Sequence, residues 1–368
     1  MASERAPRRR SLINVVLAAA VVMGGTGAGT AYVKAQAHAG RVSSASPAAS
    51  SSSPSASASS SASASASVSE EASVEPQAEP TVDPDTLLSQ ALKPVTAAAE
   101  DGAKVSVAVL DVESGDSATY GNGAFDTASI VKVDILATLL LQAQDEDRRL
   151  TAQEKQYATS MIEVSDNTAA SALWTAIGKA SGLAAANKRF GLTDTEGGTG
   201  MLWGLTQTTA ADQLTLLRQV FATDGAASQL SEASRTYLQG LMGSISVDQD
   251  WGVSAAATTA TATSTGTGTA GARFALKNGW LPRTATGLWD INSIGRVTGA
   301  DGREYLVAVV SNGNTTQAKG ISLVESAARA AVSVFEDTST STNSTSASST
   351  STSTSTSTST GVDQKSSS

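Results

Sequence analysis

Between Val42 and Val68 the chain is almost entirely serine and alanine, and residues 338–368 are a serine/threonine repeat. Neither stretch has the apolar side chains that offset the conformational entropy lost on ordering, and the acidic, proline-containing run Glu70–Asp85 adds none. A packed core is therefore confined to residues 86–337 of a 368-residue chain whose length alone would allow two domains. Residues 41–85 read as a disordered tether and 338–368 as a disordered tail. As a coil of roughly 45 residues, the tether would reach about 35–40 Å.

The N-terminus carries Arg5, Arg8, Arg9 and Arg10, followed by the uncharged, mostly apolar stretch 12–33 and the small-residue pattern Ala37-His38-Ala39. That layout makes residues 1–40 an export signal or, since 12–33 is long enough to span a bilayer, a membrane anchor. Arg9-Arg10 fits a twin-arginine signal and equally a plain basic n-region. Either way the expected location is extracytoplasmic, secreted or held at the cytoplasmic membrane by residues 12–33, with membrane contact through that segment alone.

The chain has no cysteine and a single histidine, His38, inside the export segment. A Ser–His–Asp triad, a cysteine nucleophile, a disulfide and a lipid anchor on cysteine are all excluded, and no cofactor or metal site is expected. Any nucleophile downstream must use lysine, a carboxylate or tyrosine as its base. The net charge of −9 argues against a nucleic-acid partner and is compatible with a small molecule or cell-wall peptide as ligand. The expected state is a monomer.

Within 86–337, Lys104–Glu113 alternates apolar and polar residues and leads through a Gly-Asp turn into a second short strand, giving a hairpin. From Ser129 a broad apolar face (Ile130, Val131, Val133, Ile135, Leu136, Leu139, Leu140) predicts a helix. Further helices are expected at 152–163, 168–177, 183–190, 209–222 and 232–245. After a Thr/Ala/Gly-rich insert, 255–271, three strands follow ("ARFALKNGW", "GLWDINSIGRV", "EYLVAVVSNG"), with a closing helix at 321–335. Strands at both ends with helices between predict an α/β domain whose sheet is assembled from N- and C-terminal segments. Gly266–Gly271 matches G-x-G-x-x-G but follows a low-complexity run and precedes a strand, so it reads as a surface loop.

Three short motifs could carry chemistry. Ser129 and Lys132, at i and i+3, share a helix face near its N-terminus; a desolvated lysine can take a serine proton, and the helix dipole favours negative charge there. Ser165-Asp166-Asn167 lies between two expected helices and offers a hydroxyl for proton relay and an amide for a substrate carbonyl. Lys277-Asn278-Gly279 closes an expected strand with a cation, a polar side chain and a residue that allows close backbone approach. Singly, each also reads as a helix cap or strand-end turn.

In this order the three motifs resemble the Ser-x-x-Lys, Ser-Asp-Asn and Lys-Thr-Gly elements of the penicillin-recognising serine hydrolases, the class A β-lactamases and penicillin-binding proteins, over roughly residues 90–336. The resemblance implies a mostly antiparallel sheet built from N- and C-terminal segments packed against a helical lobe. It implies Ser129 as acylated nucleophile, Lys132 as its base, Ser165 as proton shuttle, Asn167 as amide binder and Lys277 as partner of a substrate carboxylate. Asn278 and Gly279 complete that subsite, and the backbone N–H groups of Ser129 and Trp280 form the oxyanion hole.

The chain departs from the family pattern three times. Asn278 replaces a hydroxyl residue. The stretch from Ser129 to Ser165 is short, which trims the helical lobe. The Glu-x-x-x-Asn loop that supplies the deacylating base is represented only by "GLTDTEGGTGMLWGLTQ", where Glu196 is the sole glutamate and Gly200 its fourth following residue. Glu196 is the candidate base, Glu163 reads as a helix-end carboxylate, and Trp203, Trp251 and Trp289 as packing aromatics. These features lead to an exported serine hydrolase that opens β-lactams through an acyl-serine, with a D-alanyl-peptide-cleaving penicillin-binding protein and a non-catalytic cell-wall-peptide or β-lactam binding domain as alternatives.

Overall fold

Five antiparallel strands in the order β2-β1-β7-β6-β5 form the centre of the molecule: β1 (Lys104–Asp111), β2 (Ser117–Tyr120), β5 (Phe274–Pro282), β6 (Trp289–Thr298) and β7 (Glu304–Asn314). A two-stranded piece, β3 (Phe125–Asp126) with β4 (Gln207–Thr208), lies beside them. The computed structural model describes residues 82–99, 102–258 and 273–346, and at 226 and 337–346 the backbone only. The export segment, all of the tether before 82, the Gly266–Gly271 stretch and the tail beyond 346 lie outside the described residues.

β1 pairs with β7 from Lys104↔Asn312 to Asp111↔Tyr305, so the sheet does join the two ends of the domain. Alternate residues face opposite sides. Ala108, Leu110, Leu306, Ala308 and Val310 face a helical lobe, whereas Val107, Val109, Tyr305, Val307 and Val309 face the terminal helices. Because both faces are covered, β1 is buried continuously rather than alternately. Of its buried polar residues, Ser106 donates its hydroxyl to Tyr120 O at 2.8 Å and Asp111 pairs with Arg303.

The lobe contains α2 (Val131–Asp145), α3 (Ala152–Glu163), α4 (Asn167–Ala176), α5 (Lys179–Phe190), α6 (Ala210–Phe221) and α7 (Glu232–Met242). Local chemistry sets their starts: a Thr151/Glu154 capping box on α3 and side-chain caps from Asp166, Thr209 and Ser231 on α4, α6 and α7. Observed bounds agree with the periodicity to within a turn.

Two terminal helices differ from expectation. α1 (Pro84–Ala98) begins inside the stretch read as tether: Asp83 caps it, and Asp85 accepts from Thr119 N at 2.6 Å. Despite Pro94, the helix is held by burial of Leu88 and Leu92, one turn apart, against α8 (Gln317–Ser346). α8 runs nine residues into the stretch read as tail, since a helix nucleated on the sheet extends by one hydrogen bond per added residue.

Candidate active site

The three motifs meet where the N-terminus of α2, the α3–α4 loop and the edge strand β5 converge. Ser129 lies in a single 3₁₀ turn, Ala128–Ile130, that leads into α2. Its predecessor Ala128 has φ of 47°, and Ser165 has φ of 57°. Positive φ is costly for a residue with a Cβ, and here it occurs beside one candidate and at another. Asn292 of β6 holds the approach to the turn by donating to Asp126 O (2.9 Å) and Thr127 O (3.0 Å).

Lys132 is fully buried. Its Nζ donates to Ser165 O at 2.7 Å, Ser165 Oγ at 2.9 Å and Asn167 Oδ1 at 2.9 Å. Those three bonds use all the protons of an ammonium, so a lone pair for Ser129 exists only in the neutral amine. Desolvation lowers its pKa to about 7, with the charge of Asp166 opposing the shift. The Trp203 ring lies 5.0 Å from Nζ.

Lys277 reaches the same hydroxyl from β5: its Nζ is 3.1 Å from Ser165 Oγ and 3.0 Å from Asn278 O. Burial, and then the neighbouring Lys132, push its pKa well below the ordinary lysine value. Two ammonium groups pointed at one hydroxyl repel, which favours one of the pair as neutral amine and makes Ser165 Oγ a bridge between them.

Gly279 accounts for the closeness of β5 to the serine turn. A Cβ there would lie 2.7 Å from Thr127 O and 2.8 Å from Ser129 N. Only glycine lets the edge strand approach closely enough to bring the Ser129 and Trp280 main chains together.

The half-buried Ser129 opens on a cavity of about 530 Å³ whose walls include Asn167, Ser171, Met201–Leu205 and Trp280–Ala285. Arg283 is the single ionisable residue in this wall among the described residues. Its guanidinium pairs with Asp126 and approaches Asp290 at 3.7 Å. A larger hollow, about 670 Å³ and lined by residues such as Thr223 and Arg235, shares no wall with it and holds none of the motif residues.

Three sequence expectations are not met. Glu196 is exposed and outside the cavity wall: its backbone exchanges 2.9 Å bonds with Gln207. The loop that carries it is fixed, with Gly198 so tight that a Cβ would lie 2.0 Å from Leu202 O and with Trp174 Nε1 donating to Gly200 O at 2.8 Å. Asn278 faces away from the cavity, because adjacent strand residues alternate; its amide donates to Gln249 O (2.8 Å) and Trp251 O (2.9 Å). Lys277 is only 1% exposed and does not line the cavity, so a substrate carboxylate would not meet it directly.

Trp203, read from sequence as packing, is a wall of the site, fixed by its indole N–H to Ser171 Oγ at 3.1 Å. Met201, Leu202 and Arg283 were not singled out by any motif. For Met201 and Leu202 the available signal was a cluster of apolar residues in a glycine-rich loop. Glu163 ends α3, where its carbonyl accepts from Ser246, and Trp251 packs edge-on to Trp280 at 6.1 Å.

The profile of the β-lactamase enzyme family matches residues 153–335, a range that holds Ser165 and Lys277 and starts after Ser129 and Lys132. Among solved structures, a mutant of PBP-A in an acyl-enzyme complex with penicillin G is 21% identical with a TM-score of 0.55 over 68% of this chain and 97% of that one. A class A β-lactamase from Bacteroides cellulosilyticus is 17% identical with a TM-score of 0.56 over 70% and 100%. A β-lactamase from Xanthomonas campestris pv. campestris is 20% identical with a TM-score of 0.54 over 69% and 100%. A search of curated proteins gives no match. Profile and solved structures together show that residues 153–335 resemble the β-lactamase enzyme family and that the domain has the β-lactamase-like fold.

Proposed function

We propose that the chain is an exported acyl-transfer enzyme that takes the acyl group of a β-lactam or a cell-wall peptide onto Ser129 and releases it slowly, after the manner of a penicillin-binding protein. The observation that carries this is the buried Lys132–Ser165–Lys277 hydrogen-bonded chain beside a serine in a cavity without a carboxylate wall among the described residues. Neutral Lys132 takes the Ser129 proton as Oγ attacks the carbonyl carbon. The N–H groups of Ser129 and Trp280 hold the oxyanion. As the C–N bond breaks, Ser165 Oγ passes a proton to the leaving nitrogen and regains one from Lys132.

Deacylation requires a water to lose a proton, and here the ring of Trp203, rather than a carboxylate, lies against Lys132. The position of Glu196 outside the cavity wall therefore favours a persistent ester over rapid β-lactam hydrolysis. The PBP-A structure, captured as a penicillin acyl-enzyme, is consistent with such an ester.

The test is intact-mass spectrometry of the full-length protein mixed with benzylpenicillin. Expected is a covalent adduct that persists over many minutes in wild type and is absent in Ser129→Ala. Rapid turnover would restore the β-lactamase reading, and saturable binding without an adduct would leave a non-catalytic binding domain. In the same assay Glu196→Gln should not change the adduct's lifetime; a longer lifetime would return Glu196 to the mechanism.

A further inference from the structure

Arg235, on α7 of the helical lobe, is only 6% exposed and forms no ion pair among the described residues. A buried charge is ordinarily paired, because taking an ion out of water is costly unless an opposite charge and hydrogen bonds offset it. The guanidinium donates once, from Nη1 to Leu230 O at 2.7 Å, which leaves most of a five-donor fork unused.

The free side of the fork adjoins a hollow. Arg235 lines the cavity of about 670 Å³ together with Gly225, and a Cβ built on Gly225 would lie 3.8 Å from Arg235 Nη2 and meet nothing else within 4 Å. The second arginine of this wall is already engaged: Arg296 pairs with Glu304 at 3.1 Å and stacks over the Phe221 ring at 5.2 Å. What remains is one unpaired guanidinium, opposed by the exposed Glu232. That balance suits a single carboxylate held by the planar fork and disfavours a phosphate dianion or an acidic polymer.

The hollow is larger than a lone carboxylate needs and lies within the size range of small-molecule sites. Thr223, Thr236 and Gln229 bring hydroxyls and a side-chain amide to the same wall, groups that match the N–H and C=O of a peptide rather than a hydrocarbon. We propose that this hollow is a second binding site, which takes the C-terminal carboxylate of a short peptide on Arg235. The assignment is independent of acyl transfer, since none of the three motifs lines the hollow.

The test is isothermal titration calorimetry of the full-length protein at fixed ionic strength with N-acetylglycylglycine, its C-terminal amide, acetate and inorganic phosphate. N-acetylglycylglycine should bind saturably with a dissociation constant of about 1 mM or below, and each of the others at least about tenfold more weakly. Gly225→Asp, at an exposed turn, sets a carboxylate beside Arg235 and should weaken peptide binding about 10–100-fold, the worth of one hydrogen bond to a charged group. Arg235→Gln should do the same, with thermal melting to confirm that both variants fold. No saturable binding of N-acetylglycylglycine would overturn the site. Equal affinity for the amide would overturn carboxylate recognition, and tighter binding of acetate or phosphate would overturn the peptide as ligand. Unchanged affinity in folded Gly225→Asp would put the peptide elsewhere on the protein and remove Arg235 from the assignment.

Discussion

Lys132→Met should lower the acylation rate of Ser129 by roughly 10²–10⁴-fold, the range over which a positioned general base contributes. Methionine keeps most of the buried volume, so the loss reports the amine rather than a cavity. In wild type, the acylation constant should rise as pH passes through about 7, the value to which desolvation lowers this lysine, because only the neutral amine can accept the serine proton. Measurement of the second-order constant from about pH 5.5 to 9, a span on both sides of that value, checks both claims. Removing Lys132 also removes the charge that contributes to depressing Lys277, leaving Ser165 bonded to one lysine instead of two. Should Lys132→Met retain wild-type acylation with the same pH profile, Lys277 acting through Ser165 would have to be the base, and the assignment of roles would reverse.

Much of this site was legible because its parts depend on short-range geometry. Spacing i, i+3 does put Ser129 and Lys132 near a helix start, a cap sequence does place Ser165 and Asn167 on a helix-entry loop, and Lys277 does lie on an edge strand. Where the reading failed, direction mattered more than position. Glu196 lies in the expected loop, yet its bridge to Gln207 leaves the side chain exposed and off the cavity wall, a consequence of long-range pairing that no local pattern encodes. Asn278 was more readable than the motif suggested: if Lys277 faces the site, strand alternation turns Asn278 away. Trp203 looked like packing because aromatic residues usually are, and only its tertiary position over Lys132 makes it part of the site. The same holds for α1, whose Pro94 and alanine-rich sequence conceal Leu88 and Leu92 at helical spacing, buried against α8.

Asp134→Asn should stabilise the protein more at alkaline pH than near pH 5. Two residues beyond Lys132, Asp134 lies on the opposite face of α2 and points into the lobe core, 1% exposed and facing only the Asn187 amide at the edge of hydrogen-bonding geometry. Burial raises its pKa from 3.8 to about 7; the facing Asn187 amide offsets part of this and the charge of Asp212 adds to it. The sign follows from proton linkage: the native state holds a proton that the unfolded chain releases near pH 3.8, so stability falls as pH rises from there and the full penalty is present above about 7. A shift of that size corresponds to at most about 4 kcal/mol, since each unit is about 1.4 kcal/mol, and in a domain of this length to a Tm change on the order of 8–16 °C. Asparagine cannot ionise and so escapes the penalty. Melting curves of wild type and variant at pH 5 and pH 8.5 decide the matter: the gain should be clearly larger at the higher pH, and an equal Tm difference at both would show that the carboxyl ionises in the core without cost. A positive result would mean that α2 carries two oppositely perturbed groups on its two faces, a base kept neutral by burial for the site and an acid kept protonated by the same burial for the lobe.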